Sequence, residues 1–349
     1  MAKEIAIIDC ETDPFKEGRV PQPFLWGFYM PSTGVLYFNH IAELMEYLSD
    51  KELRIYAHNG GKFDFHYMLE YIEDWNKIMM IHNRLAHWQW KGNDFVDSYC
   101  ILPVGLATYN KTEIDYNDFE ADRREIPAVK QNIAAYLADD LRFTYELVEA
   151  FIQENGVHLT IASCAIKKLQ KIEGIKVKDS GRKLFDDISQ FYYGGRVECF
   201  KKGVIRDTQI KCYDINSAYP FAMLHDHPVE SYITTNSKQP DIVGGNFYEF
   251  SAVSNGCFPF RNEDKTLQFP NDKQQRTFRC TGWEVLAAIE LGLLERAVHK
   301  SQRIFLEKRN FKKYVNYYYA IKATSKKGSP ENIFAKLFLN SALLPPSLI

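Results

Sequence analysis

A chain of 349 residues with 46% hydrophobic content is long enough to bury one large core or two to three ordinary ones, which points to a globular, multi-domain protein. No stretch reaches the roughly 18 to 20 apolar residues needed to cross a bilayer. The start, Met1-Ala-Lys-Glu followed by a strand-like run, has no signal-peptide architecture, so an intracellular, cytoplasmic location without a membrane partner is expected. The net charge of −2 hides an asymmetry: residues 1–155 carry 14 Lys and Arg against 26 Asp and Glu (−12), and residues 156–349 carry 29 against 19 (+10). An acidic half suits a site that concentrates divalent metals and a basic half suits a phosphate backbone, but two solvated surfaces of opposite sign that dock together would look the same.

In chain order, Glu4-Ile-Ala-Ile-Ile8 reads as a buried strand delivering Asp9-Cys-Glu11-Thr12 at its end. Residues 23–30 and 34–38 read as the next two strands, joined by a Pro-Ser-Thr-Gly turn. A helix over 41–48, a strand at 54–57, a helix over 63–73 and further aromatic strands to about 101 follow. This alternation predicts an α/β (α+β) domain. The clearest helix spans about 129–155 and stops at Gly156. Beyond it the pattern predicts a Lys-rich helix over 160–173, a strand pair around 197–216, a loop-rich stretch over 226–280, and helices near 281–293 and 308–341. The seven cysteines are scattered, odd in number and never form a C-x-x-C pair, which argues against a zinc site or a disulfide framework.

Three elements carry chemistry in the acidic half. A D-x-E at a strand end puts Asp9 and Glu11 on one side of the pleat, where they can grip one cation between them. Ala57-His-Asn-Gly-Gly-Lys-Phe-Asp64 places a carboxylate at the first turn of a helix, a position that also suits a simple cap. Tyr136 and Asp140, four apart in the long helix, project from one face. In this order the three resemble the motifs of the 3′→5′ proofreading exonucleases attached to family B DNA polymerases. That resemblance implies an RNase H-like domain using two divalent metals, Mg²⁺ or Mn²⁺, held by Asp9, Glu11, Asp64 and Asp140, with Tyr136 orienting or helping to deprotonate the attacking water.

Smaller features resemble the protein-primed branch of that family, found in phages and linear plasmids. Asp97-Ser98-Tyr99 is similar to its (S/T)-L-x-x-h motif with Tyr99 in place of Leu, and Lys111-Thr-Glu-Ile114 to its K-x-x-h motif. By that likeness Thr12, Asn59, Phe63 and Ser98 would hold the frayed single-stranded primer end, and Lys111 would contact the scissile phosphate.

The basic half continues the series. Phe191-Tyr192-Tyr-Gly194-Gly195-Arg196 resembles the Y-x-G-G motif between exonuclease and polymerase domains, where paired glycines admit DNA and Arg196 meets a phosphate. Cys212-Tyr-Asp-Ile-Asn-Ser-Ala-Tyr-Pro220 matches polymerase motif A, with Ala218 at its Leu position. The likeness implies that Asp214, at a strand end, binds catalytic Mg²⁺. It also implies that Tyr219 lies under the incoming sugar and that Ile215 and Ser217 touch the triphosphate. Tyr319-Ala-Ile-Lys322-Ala-Thr-Ser325 and Ala335-Lys336-Leu-Phe-Leu-Asn340-Ser341 resemble the approach to motif B and its first half, with Lys322 and Lys336 toward the nucleotide phosphates and Asn340 toward the base pair.

After Ser341 the likeness breaks at a Pro-Pro pair, and no D-x-D occurs anywhere in the chain. A two-metal polymerase site needs carboxylates from both motif A and motif C, so the expected activity of this chain alone is the exonuclease. A natural end, a frameshift, a shortened chain, or a separate chain supplying the rest of the palm and thumb all stay open. The expected organisation is an exonuclease domain over 1–155, a linker over 156–200 and a partial polymerase domain over 201–349. Its expected partners are single-stranded DNA 3′ ends, primer-template DNA and a terminal priming protein, in a bacterial or virus-infected cell. The alternative is a non-catalytic fragment or subunit that binds DNA or the priming protein.

Overall fold

The computed structural model describes residues 3–106, 114–176, 181–206 and 209–342. The chain divides into two compact units, Met1–Cys164 and Ala165–Ile349. No helix among the described residues is long and apolar enough to cross a membrane.

The first unit is built on β1 (Glu4–Thr12), β2 (Pro23–Met30), β3 (Gly34–Phe38), α1 (Ile41–Leu48), β4 (Leu53–Ala57), β5 (Met79–Ile81), β6 (Arg84–Trp90), β7 (Asn93–Asp97) and α2 (Pro127–Asn155). Its seven strands form one sheet in the order β3-β2-β1-β4-β7-β6-β5. β4 runs parallel to both β1 and β7, and the outer pairs are antiparallel, so the sheet is mixed. This is the α/β class expected from the alternation of elements.

Alternation along the strands separates the two faces of the sheet. Ala6, Ile8, Cys10, Trp26 and Phe28 join Leu44, Met45 and Leu48 of α1 with Phe65 and Met68 in one buried core. The opposite face receives α2, and Gly27 of β2 makes this approach close. A Cβ at that position would lie 2.6 Å from Leu141 Cδ1 and 3.0 Å from Leu137 Cγ. Because Gly27 pairs across the ladder with Asp9, the absent side chain lets α2 settle beside the acidic end of β1. Pro127 opens α2, where its missing N–H costs nothing, and Gly156 at φ 82° ends it.

The segment expected as a helix over 63–73 is instead a run of 3₁₀ turns, Gly60–Lys62 and Asp64–Tyr71. Phe63 at φ −138° and ψ −85° breaks the run, and the bonds close over three residues (Phe63 N to Gly60 O, 3.1 Å; His66 N to Phe63 O, 2.9 Å).

The second unit departs further from expectation. After α3 (Ile161–Glu173), α4 (Gly181–Ile188) and α5 (Ala218–Ala222) come β8 (His227–Thr235), β9 (Phe247–Val253), β10 (Phe260–Arg261), β11 (Leu267–Gln268) and β12 (Arg276–Thr281). They are followed by α6 (Gly282–Glu290), β13 (Glu295–Arg309), α7 (Lys312–Thr324) and α8 (Pro330–Ser341). The stretch over 226–280 is therefore strand-rich, not loop-rich: β12, β9, β13 and β8 form an antiparallel sheet in that order around Tyr248, Phe250, Phe258 and Phe278.

Residues 197–206 and 209–216, expected as a strand pair, carry no regular structure. Val197, Phe200, Val204, Ile210, Tyr213 and Ile215 stand open to solvent, and no ladder among the described residues takes them in. Strand propensity becomes a strand only against a partner. Finally, Ser325–Ser329 divides the helix expected over 308–341 into the pair α7 and α8.

Candidate functional site

Asp9 and Glu11 lie two apart on β1 and share one face, with a register shift between Glu11 and Thr12 ending the regular pairing. β1 pairs with β4 only as far as Ile7 opposite Tyr56. Beyond that point Asp64 takes over: its Oδ1 accepts the Cys10 amide at 3.1 Å, and the same amide lies 3.0 Å from Asp9 Oδ1. One backbone N–H thus gathers the carboxylates of Asp9 and Asp64, the second of them 54 positions along the chain from Cys10. Asp64 is 1% exposed, and burial pushes its carboxyl up to about 6, against the lowering pull of the Cys10 contacts. Burial, with Asp64, Asp9 and Glu11 around it, also pushes the Cys10 thiol well up.

Tyr136 and Asp140 are both buried on α2. The Tyr136 ring packs edge-on against Phe119, and its hydroxyl lies 3.5 Å from that of Tyr116. Burial, the Tyr116 contact and the charges of Asp140 and Glu11 all drive the Tyr136 phenol toward its protonated form. Elements from both sides of the sequence therefore meet: Asp9 with Asp64, and Tyr136 with Glu11 and Asp140. Among the described residues no three His, Cys, Asp or Glu side chains converge closely enough to hold a metal ion, so the four-carboxylate cage implied by the motifs is not drawn into one cluster. Mutual repulsion of like charges in a buried setting disfavours that convergence.

The turn before Asp64 is braced from behind. Asn59 sits at φ 68°, and its Oδ1 accepts Arg84 Nη1 at 2.7 Å. The same nitrogen reaches Asp97 Oδ2 at 2.6 Å, and that carboxylate also accepts the Gly61 amide. Gly61 is required there, because a Cβ would lie 2.4 Å from Leu85 O. Ser98 is fully buried, with its hydroxyl against His58 Nδ1 (3.1 Å) and Ala57 O (3.4 Å), so it braces the turn and does not face solvent. Thr12 is also buried, whereas Phe63 is half-buried between Phe15 and Tyr67. Lys111 lies outside the described residues. Asp97 was visible in the sequence beside Ser98; Arg84 and His58 carried no motif signal of their own.

In the second unit, Asp214, Ser217, Lys322, Lys327, Lys336 and Asn340 line one cavity of about 490 Å³. Lys322 Nζ donates to Ser217 Oγ at 2.7 Å, joining motif-A-like and motif-B-like segments 105 residues apart. Ser217 adopts φ 54° at the start of α5. Asp214 is exposed in an irregular segment, not at a strand end as expected, because the strand it was to close has no partner. Ile215 and Tyr219 are exposed and do not line the cavity. Lys327 and Asn332 line it without having been anticipated; both sit in a stretch with no motif likeness.

The Y-x-G-G-like segment is irregular as well. Tyr192 is exposed, and Gly194 and Gly195 have open space where a Cβ would stand. Arg196 is held by Glu198 (Nε to Oε2, 2.8 Å) and Gly256 O (3.1 Å), with its guanidinium 3.9 Å from the Phe269 ring.

The fold is that of a family B DNA polymerase. It matches phi29 DNA polymerase complexed with primer-template DNA and incoming nucleotide substrates at a TM-score of 0.74 and 18% identity, over 98% of this chain and 67% of that one. A structure of phi29 DNA polymerase complexed with single-stranded DNA matches at 0.69 and 17%, over 97% and 67%. Residues 105–343 match the family described as DNA polymerase type B, organellar and viral, and the chain belongs to that family. The DNA-directed DNA polymerase of Enterobacteria phage PRD1 is 35% identical over 357 aligned positions, covering 97% of this chain. A probable DNA polymerase of Neurospora intermedia is 28% identical over 225 positions, 57% of this chain and 22% of that protein. The chain spans 61% of the length of the PRD1 enzyme. The likeness to protein-primed family B polymerases read from the motifs holds.

Proposed function

We propose that this chain acts in DNA replication as a polymerase of the protein-primed type, and that its first unit removes nucleotides from single-stranded 3′ ends by metal-dependent hydrolysis. The observation that carries the exonuclease reading is the shared Cys10 amide, which brings Asp9 and Asp64 together beside Glu11 at the end of β1. We assign this role to the domain over 1–155, a linking role to 156–200, and nucleotide binding to 201–349.

The donor set fits divalent cations. Asp64 is a buried carboxyl held partly protonated by its surroundings, and a dication beside it would favour the ionised form. Asp9 and Asp64 would hold such an ion, with Glu11 and Asp140 completing the environment and Asp214 serving the same purpose in the cavity. Bound Mg²⁺ or Mn²⁺ would supply Lewis-acid stabilisation of the attacking and leaving oxygens. The chain's own contribution is positional. Tyr136, kept protonated, donates a hydrogen bond that orients the attacking water and does not take its proton. Arg84 and Asp97 hold Asn59 and the turn that carries Phe63 and Asp64, so the frayed end would meet a rigid edge.

In the cavity, Lys322 and Lys336 would bind nucleotide phosphates, beside Ser217 and Asn340. Primer-template DNA, single-stranded DNA and a priming protein are the partners this reading carries, the two DNA ligands being those of the phi29 enzyme in its solved complexes.

The absence of a three-ligand cluster among the described residues favours one second reading, in which the first unit is a non-catalytic DNA-binding platform. Incubation of the chain with end-labelled single-stranded DNA and Mg²⁺ or Mn²⁺, beside an Asp9→Ala/Glu11→Ala double variant, separates the two. Shortening by the parent alone supports the exonuclease. Equal behaviour of both proteins removes it.

A further inference from the structure

The cavity of the second unit holds more positive charge than the motifs account for. We infer that Lys327, on the α7–α8 loop, is a third phosphate-binding residue of this cavity, held in place by Asn332; the inference rests on the nucleotide-binding reading of the same cavity.

Among the described residues, three lysines, 322, 327 and 336, line the space, and Asp214 is the one acidic side chain that does so. A cleft of that balance selects a ligand with several negative charges. Lys327 and Lys336 have no carboxylate partner among the described residues, and Lys322 donates to the Ser217 hydroxyl and lies 5.7 Å from the centre of the Tyr319 ring, neither of which neutralises its charge. All three are therefore available to an anion.

The loop geometry explains why Lys327 faces inward and its neighbour does not. Tyr314 Oη donates to Phe338 O (2.8 Å) and the rings of Tyr318 and Phe338 stack at 4.8 Å, so α7 and α8 lie antiparallel. Ser329 N donates to Lys326 O at 2.9 Å, closing a four-residue turn with Lys327 and Gly328 at its centre. Gly328 adopts φ 86°, the conformation that the third position of a type II turn requires. Lys326 is exposed but does not line the cavity; Lys327 does.

Asn332 ties this turn to both helices. Its Nδ2 donates to Lys322 O at 2.7 Å, its Oδ1 accepts the Gly328 amide at 3.5 Å, and its own amide meets the capping Ser329 Oγ at 3.4 Å. One carboxamide thus sets the spacing between the end of α7, which carries Lys322, and the turn, which carries Lys327. A ligand contact from Lys327 is pre-organised by Asn332, which itself need not touch the ligand.

The test is calorimetric binding of dATP with Mg²⁺, and of inorganic tripolyphosphate, to the full chain at two salt concentrations. Lys327→Ala should weaken both ligands by roughly fivefold to tenfold and flatten the salt dependence, whereas Lys326→Ala should stay within about twofold. Asn332→Ala should weaken binding to a similar degree and flatten the salt dependence in the same way. The Asn332→Ala/Lys327→Ala double variant should be little weaker than either single one, because both remove the same contact. Binding by Lys327→Ala that matches the parent, while Lys322→Ala and Lys336→Ala lose affinity, overturns the inference and leaves the nucleotide reading standing. A parent chain that binds neither ligand overturns both. Lys327 is on an exposed turn, so its variant stays informative even if Asn332→Ala does not fold.

Discussion

Asp64 accepts its hydrogen bond from the amide of Cys10, the residue between Asp9 and Glu11, and so ties the 3₁₀ segment to the end of β1 through a carboxyl that is itself costly to ionise. Its folded value of about 6 lies above the ordinary 3.8. The stability this group contributes is therefore fully present below about pH 4 and is lost as pH rises through 6. In chelator-treated protein, Asp64→Asn should melt higher than the parent at pH 8, by roughly 3 kcal/mol at most, and should show no such advantage at pH 4. Calorimetric melts at the two pH values decide it: a variant that melts no higher than the parent at pH 8 would count against a desolvated carboxylate.

Tyr136 provides a kinetic counterpart. Because burial and the charges of Asp140 and Glu11 hold its phenol protonated, the exonuclease rate should show no limb near pH 10, where an ordinary tyrosine titrates. Tyr136→Phe should lower turnover by about 100-fold while leaving the melting temperature close to that of the parent. A limb near pH 10 in the parent that disappears in Tyr136→Phe would show that the phenolate takes part.

Gly27 offers a steric test of how α2 is placed. Any β-branched side chain must displace Leu137 and Leu141, both fully buried, and with them the turns carrying Tyr136 and Asp140. Gly27→Val should cost about 1–3 kcal/mol and depress exonuclease turnover, with Gly27→Ala intermediate in both. Denaturant unfolding and rate measurements on the same samples check the correlation. An active, destabilised Gly27→Val would separate the packing from the chemistry.

Asn93 is fully buried at the start of β7, where its Oδ1 accepts Leu53 N (3.0 Å) and its Nδ2 donates to Leu48 O (2.9 Å). Asn93→Ala removes the acceptor of the Leu53 amide and one of the two donors to Leu48 O, which keeps Lys51 N at 3.2 Å, and should cost roughly 1–3 kcal/mol. Asn93→Asp should not restore the loss at pH 8, since an ionised carboxylate accepts from Leu53 but would be buried against the Leu48 carbonyl. The first unit's unfolding transition in urea reads both changes.

How legible these features were in the sequence followed from the range of the interactions. Asp9 with Glu11, and Tyr136 with Asp140, are set by the period of a single strand or helix, and both pairs could be read directly. Ser217 and Lys322 meet across 105 residues, and only the likeness to a family suggested that they share a purpose. β13 escaped notice because register shifts at Glu295/Val298, His299/Ser301 and Phe305/Glu307 interrupt its alternation. The opposite error occurred at residues 197–216, where Val, Ile and Tyr suggested strands that no partner completes. Arg84 and Lys327 had no local pattern to reveal them; each acquires its place from a neighbour distant in sequence or from a turn only the backbone discloses.

The pairing of Asp9 with Gly27 has a consequence for how the acidic end of β1 comes into being. A slip of one residue between β1 and β2 would point Asp9 and Glu11 into the core now occupied by Ile8 and Cys10, and bring those two out beneath α2. Charge burial penalises that arrangement heavily, so the misregistered sheet cannot persist. The same apolar residues that make the first unit fold also proofread its own assembly: a chain that has buried Ile8 and Cys10 has already turned its two carboxylates the right way.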